Sequence, residues 1–293
     1  MKNISQEFFY KQEKKNIGRA LKEAAKFLIE NGIENRQAQI DSEILLSAVL
    51  NIKRSKLPFI IKDELNFTQA LKFKAYILRR SNREPTYYIL SKCKFMDLDF
   101  EVNPDVLIPR QETEILVWKI IETFKKESKK DVLDLCCGSG AIAVSLCVFG
   151  NFQKITAVDI SDKAIDIAKK NALLNNVDID FINGDMFSKL EDRKFDIIVS
   201  NPPYVSEREK ENLMPELFFE PATALFAKDG GLFFYKQIAK NAKKYLNENG
   251  HIFIELNSNL SLQIREIFYK SGYKNLEIIK DYSQLDRILW IKL

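Results

Sequence analysis

Apolar residues recur every three to four positions through the first eighty residues, and the rhythm then changes twice. Ile17, Leu21, Ala24 and Leu28 share one helical face, and Gly32 stands where such a helix would stop. A second helix is predicted from Asn35 to Leu50 with Ala38, Leu45, Ala48 and Val49 turned inward. Asp63 can cap a third, carrying Leu65, Leu71, Ala75 and Leu78 as far as Arg80. Beyond Pro85, Phe95, Asp97, Asp99 and Glu101 alternate with Met96, Leu98, Phe100 and Val102, a period of two that predicts a hairpin or a pair of short strands. Asn103-Pro104 and Ile108-Pro109-Arg110 read as turns.

From about residue 111, strand-like and helix-like stretches alternate, which implies an α/β unit with a parallel sheet wound on both faces. Strands are expected at Val132–Leu135, Ile155–Val158, Ile179–Ile182, Ile197–Val199, Ile252–Leu256, Asn275–Ile279 and Arg287–Ile291. Helices are expected over Gly138–Phe149, after an N-cap at Ser161, near Phe233–Leu246 and near Leu260–Lys270. The resulting division is a small all-helical domain over residues 1–82, a β-hairpin connector over 83–110 and an α/β domain over 111–293.

Composition narrows the chemistry. The first 85 residues hold 17 Lys and Arg against 10 Asp and Glu, the rest 28 against 31, so a basic front precedes a mildly acidic remainder. That surplus is too small to mark a nucleic-acid binder by itself. No apolar run approaches the roughly 20 residues that cross a bilayer, and Met1 to Lys15 lacks an apolar signal core; a cytoplasmic location is expected. Four cysteines, at 93, 136, 137 and 147, and the single histidine, His251, give neither a disulfide framework nor zinc-ligand spacing. No metal site is expected, and His251 reads as structural.

The chemically telling stretch is Asp196-Ile-Ile-Val-Ser-Asn201-Pro202-Pro203-Tyr204. A buried strand runs into two prolines that cannot continue it, leaving a stiff loop at a carboxyl end, where open α/β sheets hold ligands. Such a loop can present the Asn201 amide and the carbonyls after it as acceptors, with Tyr204 as a wall; a planar NH2 group is the natural guest. An Asn that opens a Pro-Pro turn is common in loops, so the upstream segments decide. Cys136-Cys137-Gly138-Ser139-Gly140 follows the first strand and opens a helix, so small residues and free amides face a ligand there. The spacing is not that of a pyrophosphate-binding dinucleotide loop. Asp159 ends the second strand, where a carboxylate accepts from ribose hydroxyls, and Gly184-Asp185-Met186 follows the third, where an adenine would lie.

With these residues in place the chain resembles the class I S-adenosylmethionine-dependent methyltransferases of amino groups. More closely it resembles the protein-glutamine N5-methyltransferases that act on peptide chain release factors. The resemblance rests on Arg83-Glu84-Pro85, Leu107-Ile108-Pro109-Arg110 with Thr113-Glu114, the Asp134 to Ala143 loop, Asn201 to Tyr204, Phe219-Glu220-Pro221 with Ala224-Leu225, and Asp281 with Arg287. It implies a seven-stranded Rossmann-like class I methyltransferase domain after the helical one, S-adenosylmethionine as cofactor, and release factors as protein partners; the helical domain is expected to grip the protein substrate. It further implies that Cys136, Cys137, Gly138, Ser139 and Gly140 surround the methionine portion of the cofactor, that Asp159 takes the ribose and that Met186 flanks the adenine. Asn201 would touch both cofactor and substrate, and Pro202, Pro203 and Tyr204 would complete the substrate pocket. Cys136 and Cys137 stand where glycine and threonine are frequent, Met186 where an aromatic can occur, and Asn257 where a glycine is usual. A nucleic-acid amino-methyltransferase would offer the same planar NH2 but needs a target-recognition region, and only the basic front helices could serve. A non-catalytic module would have let the loop decay, whereas Gly138, Gly140, Asp159 and Asn201 are intact.

Overall fold

The computed structural model describes residues 16–127 and 129–293; the polar Met1 to Lys15 stretch lies outside the described residues. The chain divides after Leu90 into two compact units. In the first, helix α1 (Ile17–Glu30) is capped by the Asn16 side chain, which accepts the Arg19 N–H, and Gly32 (φ +84°) turns the chain beyond it. Helix α2 (Asn35–Leu50) starts on Glu34, whose carboxylate accepts the Arg36 and Gln37 amides.

Helix α3 (Phe67–Ser81) departs from expectation. Asn66 and Gln69 form a reciprocal capping box at its start, so two orphan amides are satisfied three residues after Asp63. Asp63 instead offers its backbone carbonyl to Ile17 N–H. Leu71 and Ala75 are not part of the core and Leu78 is only half-buried, while Phe73, Ile77 and Arg80 face inward. The reason is polar. Arg80, 3% exposed, donates through Nε to Asp41 at 2.7 Å, and Asp41 also accepts from Thr86 Oγ1 and Gln37 Nε2. Burying that ion pair rotates both helices, so Asp41, Ser42, Leu46 and Ser47 join Ala38 and Leu45 inside, and Ala48 and Val49 are left half-buried. A short helix α4 (Thr86–Leu90) ends the unit.

The second unit opens with strands β1 (Lys92–Phe95) and β2 (Leu98–Glu101), an antiparallel hairpin. Its two turn residues, Met96 and Asp97, both have φ near the left-handed well, +50° and +61°, as the twist of a two-residue hairpin loop demands. The turn shifts the parity of the alternation. Odd-numbered Cys93 and Phe95 therefore share a face with even-numbered Phe100, and the Phe95 and Phe100 rings meet edge to face at 6.1 Å.

After helix α5 (Gln111–Phe124) come β3 (Asp131–Leu135), α6 (Ala141–Phe149), β4 (Lys154–Asp159), α7 (Asp162–Leu174), β5 (Asp180–Asn183) and β6 (Phe195–Ser200). There follow β7 (Val205–Ser206), α8 (Ala222–Leu225), β8 (Phe226–Ala227), α9 (Phe233–Tyr245), β9 (Leu246–Glu255), α10 (Ser261–Lys270), β10 (Asn275–Lys280) and β11 (Asp286–Lys292). Seven strands form one sheet in the order β10-β11-β9-β6-β3-β4-β5. All neighbours pair in parallel except β11, which runs against both β9 and β10. Only five residues separate β10 from β11, too few for a crossover, so a hairpin is forced. Strand residues alternate between the faces. Leu133, Ile198, Ile252, Ile254 and Leu289 pack with Tyr235, Ile238 and Ala242 of α9 and Ile264 and Phe268 of α10, whereas Phe253 meets Phe124 of α5 on the other side. Among the described residues no helix is long and apolar enough to cross a membrane.

His251 at the middle of β9 is structural. Its Nδ1 accepts the Trp290 indole N–H at 3.0 Å, and burial lowers its pKa, with Lys292 adding to the effect. Asp196, at the end of β6 remote from its prolines, accepts from Asp131 N–H and Asn247 Nδ2.

The buried ion pair and the hairpin turn each predict a change in stability. Asp41→Ala removes the buried carboxylate that Arg80, Thr86 and Gln37 share and should cost about 3–5 kcal/mol in urea unfolding of the full chain, whereas Asp41→Leu with Arg80→Met should cost much less. Asp97→Gly relieves a left-handed residue in the hairpin turn and should stabilise by roughly 0.5–1 kcal/mol, measured as a higher thermal midpoint.

Candidate active site

The strand register determines which residues meet at the carboxyl edge of the sheet. Leu135 pairs with both Ser200 and Val158, and Ser200 with Ile254. One residue further on, Cys136, Asp159, Asn201 and Glu255 therefore fall in a single row across four neighbouring strands. Adjacent members of such a row are about 5 Å apart. A cavity of about 330 Å³ opens beside it.

Of the residues expected from the sequence, Cys136, Cys137, Gly138, Ser139, Asp159, Met186, Asn201 and Pro203 line this cavity. Gly140, Pro202 and Tyr204 do not reach its wall. Gly140 (φ +78°) begins α6 and lies against α7, where an added Cβ would come within 3.1 Å of the Ala168 Cβ; its smallness serves helix packing. Pro202 is buried. The Tyr204 ring packs onto the main core, and burial, with the nearby Glu255 charge, pushes its hydroxyl up to about 12.

Gly138 is different. Its φ is +53°, and a Cβ added there would meet nothing within 4 Å, so its bare face looks onto open space. Its amide donates to Asp159 Oδ2 at 2.8 Å, while Ser161 N–H donates to Oδ1 at 2.9 Å. Burial raises the Asp159 pKa, and these backbone donors oppose it. The carboxylate is thereby fixed in orientation at the cavity edge.

Cys136 also has a positive φ, +61°, which explains why glycine suits that position. Its thiol donates to the Met186 sulfur at 3.6 Å, and Met186 itself has φ +49°. Burial and the neighbouring Asp159 and Asp134 carboxylates raise the pKa of both Cys136 and Cys137. Both stay protonated thiols at neutral pH, the opposite of what a nucleophile needs. The Asn257 position requires no glycine: its φ is −70°, and its side chain accepts from Asn259 N–H to cap a short 3-10 turn.

Several residues that shape the site had no role assigned on sequence grounds, although three belong to the Pro-Arg-x-x-Thr-Glu stretch. Arg110 donates to Glu220 Oε1 at 2.6 Å, and Ile108 N–H donates to Oε2, which ties the segment before α5 to the loop before α8. Glu114 accepts the Met96 amide in the hairpin turn. Thr113, 4% exposed, donates to Glu255 Oε2 at 2.6 Å and accepts Asn201 Nδ2 at 3.2 Å. Asn171, fully buried on α7, donates to the Ser139 and Glu101 carbonyls and accepts the Glu101 amide. The spacing of charged and hydroxyl residues in one helical turn was the signal for the first three; nothing in the sequence marked Asn171.

Residues 113–237 match the family model described as Methyltransferase small domain, and residues 19–90 match PrmC N-terminal domain. The release factor glutamine methyltransferase of Fusobacterium nucleatum is 35% identical over 97% of this chain and 80% of its own length. Its counterpart from Buchnera aphidicola is 39% identical over 93% and 98%. Among solved structures, a methyltransferase from Pyrococcus furiosus superposes with a TM-score of 0.52 at 21% identity, covering 75% of this chain and 96% of that one. A T. thermophilus 16S rRNA N2 G1207 methyltransferase in complex with AdoMet and guanosine gives 0.52 at 19% identity, covering 69% and 49%. Both share the fold of the α/β unit. Identity of this extent over nearly full length, joined to a glycine loop, a strand-end Asp159 and an Asn-Pro-Pro-Tyr corner on one sheet edge, means that the chain belongs to the release factor glutamine methyltransferase family.

Proposed function

We propose that this chain methylates the N5 side-chain amide of a glutamine in peptide chain release factors, with S-adenosylmethionine as methyl donor. The observation that carries the reading is the placement of Asn201 and Pro203 in the same cavity as the 136–139 loop and Asp159. The residues fit the donor. Gly138 offers a face without a side chain, Asp159 an oriented carboxylate for two ribose hydroxyls, and Met186 with Cys136 a soft apolar flank for an adenine. S-adenosylmethionine, when bound, supplies a sulfonium methyl already activated for transfer.

The chain's own task is positioning. A carboxamide nitrogen is a weak nucleophile because its lone pair is delocalised into the carbonyl. The Asn201 side-chain oxygen accepts a proton of that amide, holding the nitrogen still and favouring the positive charge that develops there. The methylated nitrogen then loses one proton to water, so no strong base is required. Neither thiol serves as a nucleophile, since burial keeps both protonated.

The helical domain, residues 1–82, grips the protein substrate. Phe67 and Leu71, one turn apart on α3, are 77% and 50% exposed, an outward-facing apolar pair that suits a protein partner. No stable nucleic-acid complex is involved, and the reaction belongs to the cytoplasm, where translation terminates.

Incubation with release factor and labelled donor should place one methyl group on a glutamine, located by mass spectrometry, and none on DNA or RNA; label in nucleic acid alone would overturn the reading. Asn201→Ala should lower kcat/KM by on the order of 100-fold or more while equilibrium dialysis still shows donor binding. Phe67→Ser with Leu71→Ser should raise KM for the release factor roughly tenfold and leave donor affinity unchanged.

A further inference from the structure

We propose that Thr113 and Glu255 are positioning residues for the methylation, because together they dictate which end of the Asn201 carboxamide faces the cavity. The proposal rests on Asn201 acting as an acceptor for the substrate's amide protons. A free Asn amide turns about its last bond between two nearly equivalent orientations. Only one of them presents oxygen to an incoming NH2; the other sets donor against donor and a positive edge against a nitrogen that is becoming positive.

The two buried neighbours remove that freedom. Glu255 is 1% exposed and accepts the Thr113 hydroxyl proton at 2.6 Å. An ionised carboxylate cannot donate, so the one hydroxyl proton must go to it. Only lone pairs of Thr113 Oγ1 remain for Asn201, which therefore offers Nδ2, at 3.2 Å. The amide oxygen is left to the cavity that Asn201 lines. Strand pairing supplies the geometry, since Ser200 lies opposite Ile254 and the next residues are Asn201 and Glu255.

The relay works in this sense only while Glu255 is ionised. Burial pushes its carboxyl up to about 7, against the Thr113 hydrogen bond and the Arg287 and Arg110 charges, with Glu112 adding to the rise. Arg287 reaches it from β11, where it is itself held by Asp281. Arg110 and Glu112 flank it from the start of α5, and the Tyr204 and Tyr235 hydroxyls complete its surroundings, Tyr235 donating to the Glu255 carbonyl. Below pH 7 the protonated carboxyl can donate to Thr113, whose own proton then turns to Asn201 and selects the reversed amide. Turnover should therefore fall as pH drops through about 7.

The test compares Thr113→Val, Thr113→Ser and Glu255→Gln with Asn201→Ala, in full-length protein whose folding and donor binding are checked by circular dichroism and dialysis. Thr113→Val should lose roughly 10- to 100-fold in kcat, the range for removing a partner behind a reactive group, with KM for the donor little changed. Thr113→Ser should recover most of that loss. Glu255→Gln cannot ionise and can either accept from or donate to Thr113, so it no longer forces one direction; it should be slower than the parent and should lack the acid limb of the pH profile. Full kcat in Thr113→Val, equal losses in the Ser and Val variants, or an acid limb that persists in Glu255→Gln would each overturn the relay. An active Asn201→Ala would instead overturn the acceptor role on which it stands; an inactive Asn201→Ala beside a fully active Thr113→Val would sink the relay alone.

Discussion

Register between parallel strands is the constraint on which the site depends. Four strands come level here, because Leu135, Val158, Ser200 and Ile254 are cross-strand neighbours; β3 and β6 end at this level and β4 and β9 one residue later. Whatever residue comes next on each strand is delivered to the same edge. A slip of one residue in β6 would exchange Asn201 for Ser200 at that edge and turn its buried aliphatic residues to the wrong face. The prolines after Asn201 act with the register: they end the strand where the ladder ends, and they stiffen the loop beyond it.

Around this row, three polar residues within five positions of the chain bind three different walls. Arg110 holds the Glu220 loop, Thr113 joins Glu255 to Asn201, and Glu114 receives the hairpin-turn amide. The first helical turn of α5 thus ties together segments from distant parts of the sequence. The Arg110–Glu220 and Thr113–Glu255 contacts are short and end on buried carboxylates, so each is stronger than a similar pair at the surface.

Much of this was legible in the chain itself. The strands and most helices of the α/β unit appear where apolar runs and Gly, Pro and Ser punctuation place them, because a buried parallel strand and its helix leave strong, distinct patterns. The helical unit was harder. Its third helix turned a different face inward because the Asp41–Arg80 pair is buried, and a charged residue inside is what a hydrophobicity pattern cannot show. The hairpin was foreseen but not its parity, which a two-residue turn resets. In the site, the loop stood out by its glycines, two of which sit at positive φ, and Asp159 and Asn201 by their places at the ends of apolar strands. Gly140 also meets Ala168, and Tyr204 also packs on the core. Glycines selected for ligand approach and for helix approach look alike in sequence.

The buried carboxamide on α7 helps to shape the loop after β3. Asn171 binds the Ser139 carbonyl while gripping both backbone groups of Glu101, 70 residues away in the chain. Loop closure over that span carries an entropic cost that only the assembled unit offsets. The loop is therefore shaped remotely: a fragment holding just β3, the glycines and α6 would retain the motif yet lack the clamp that the hairpin and α7 supply.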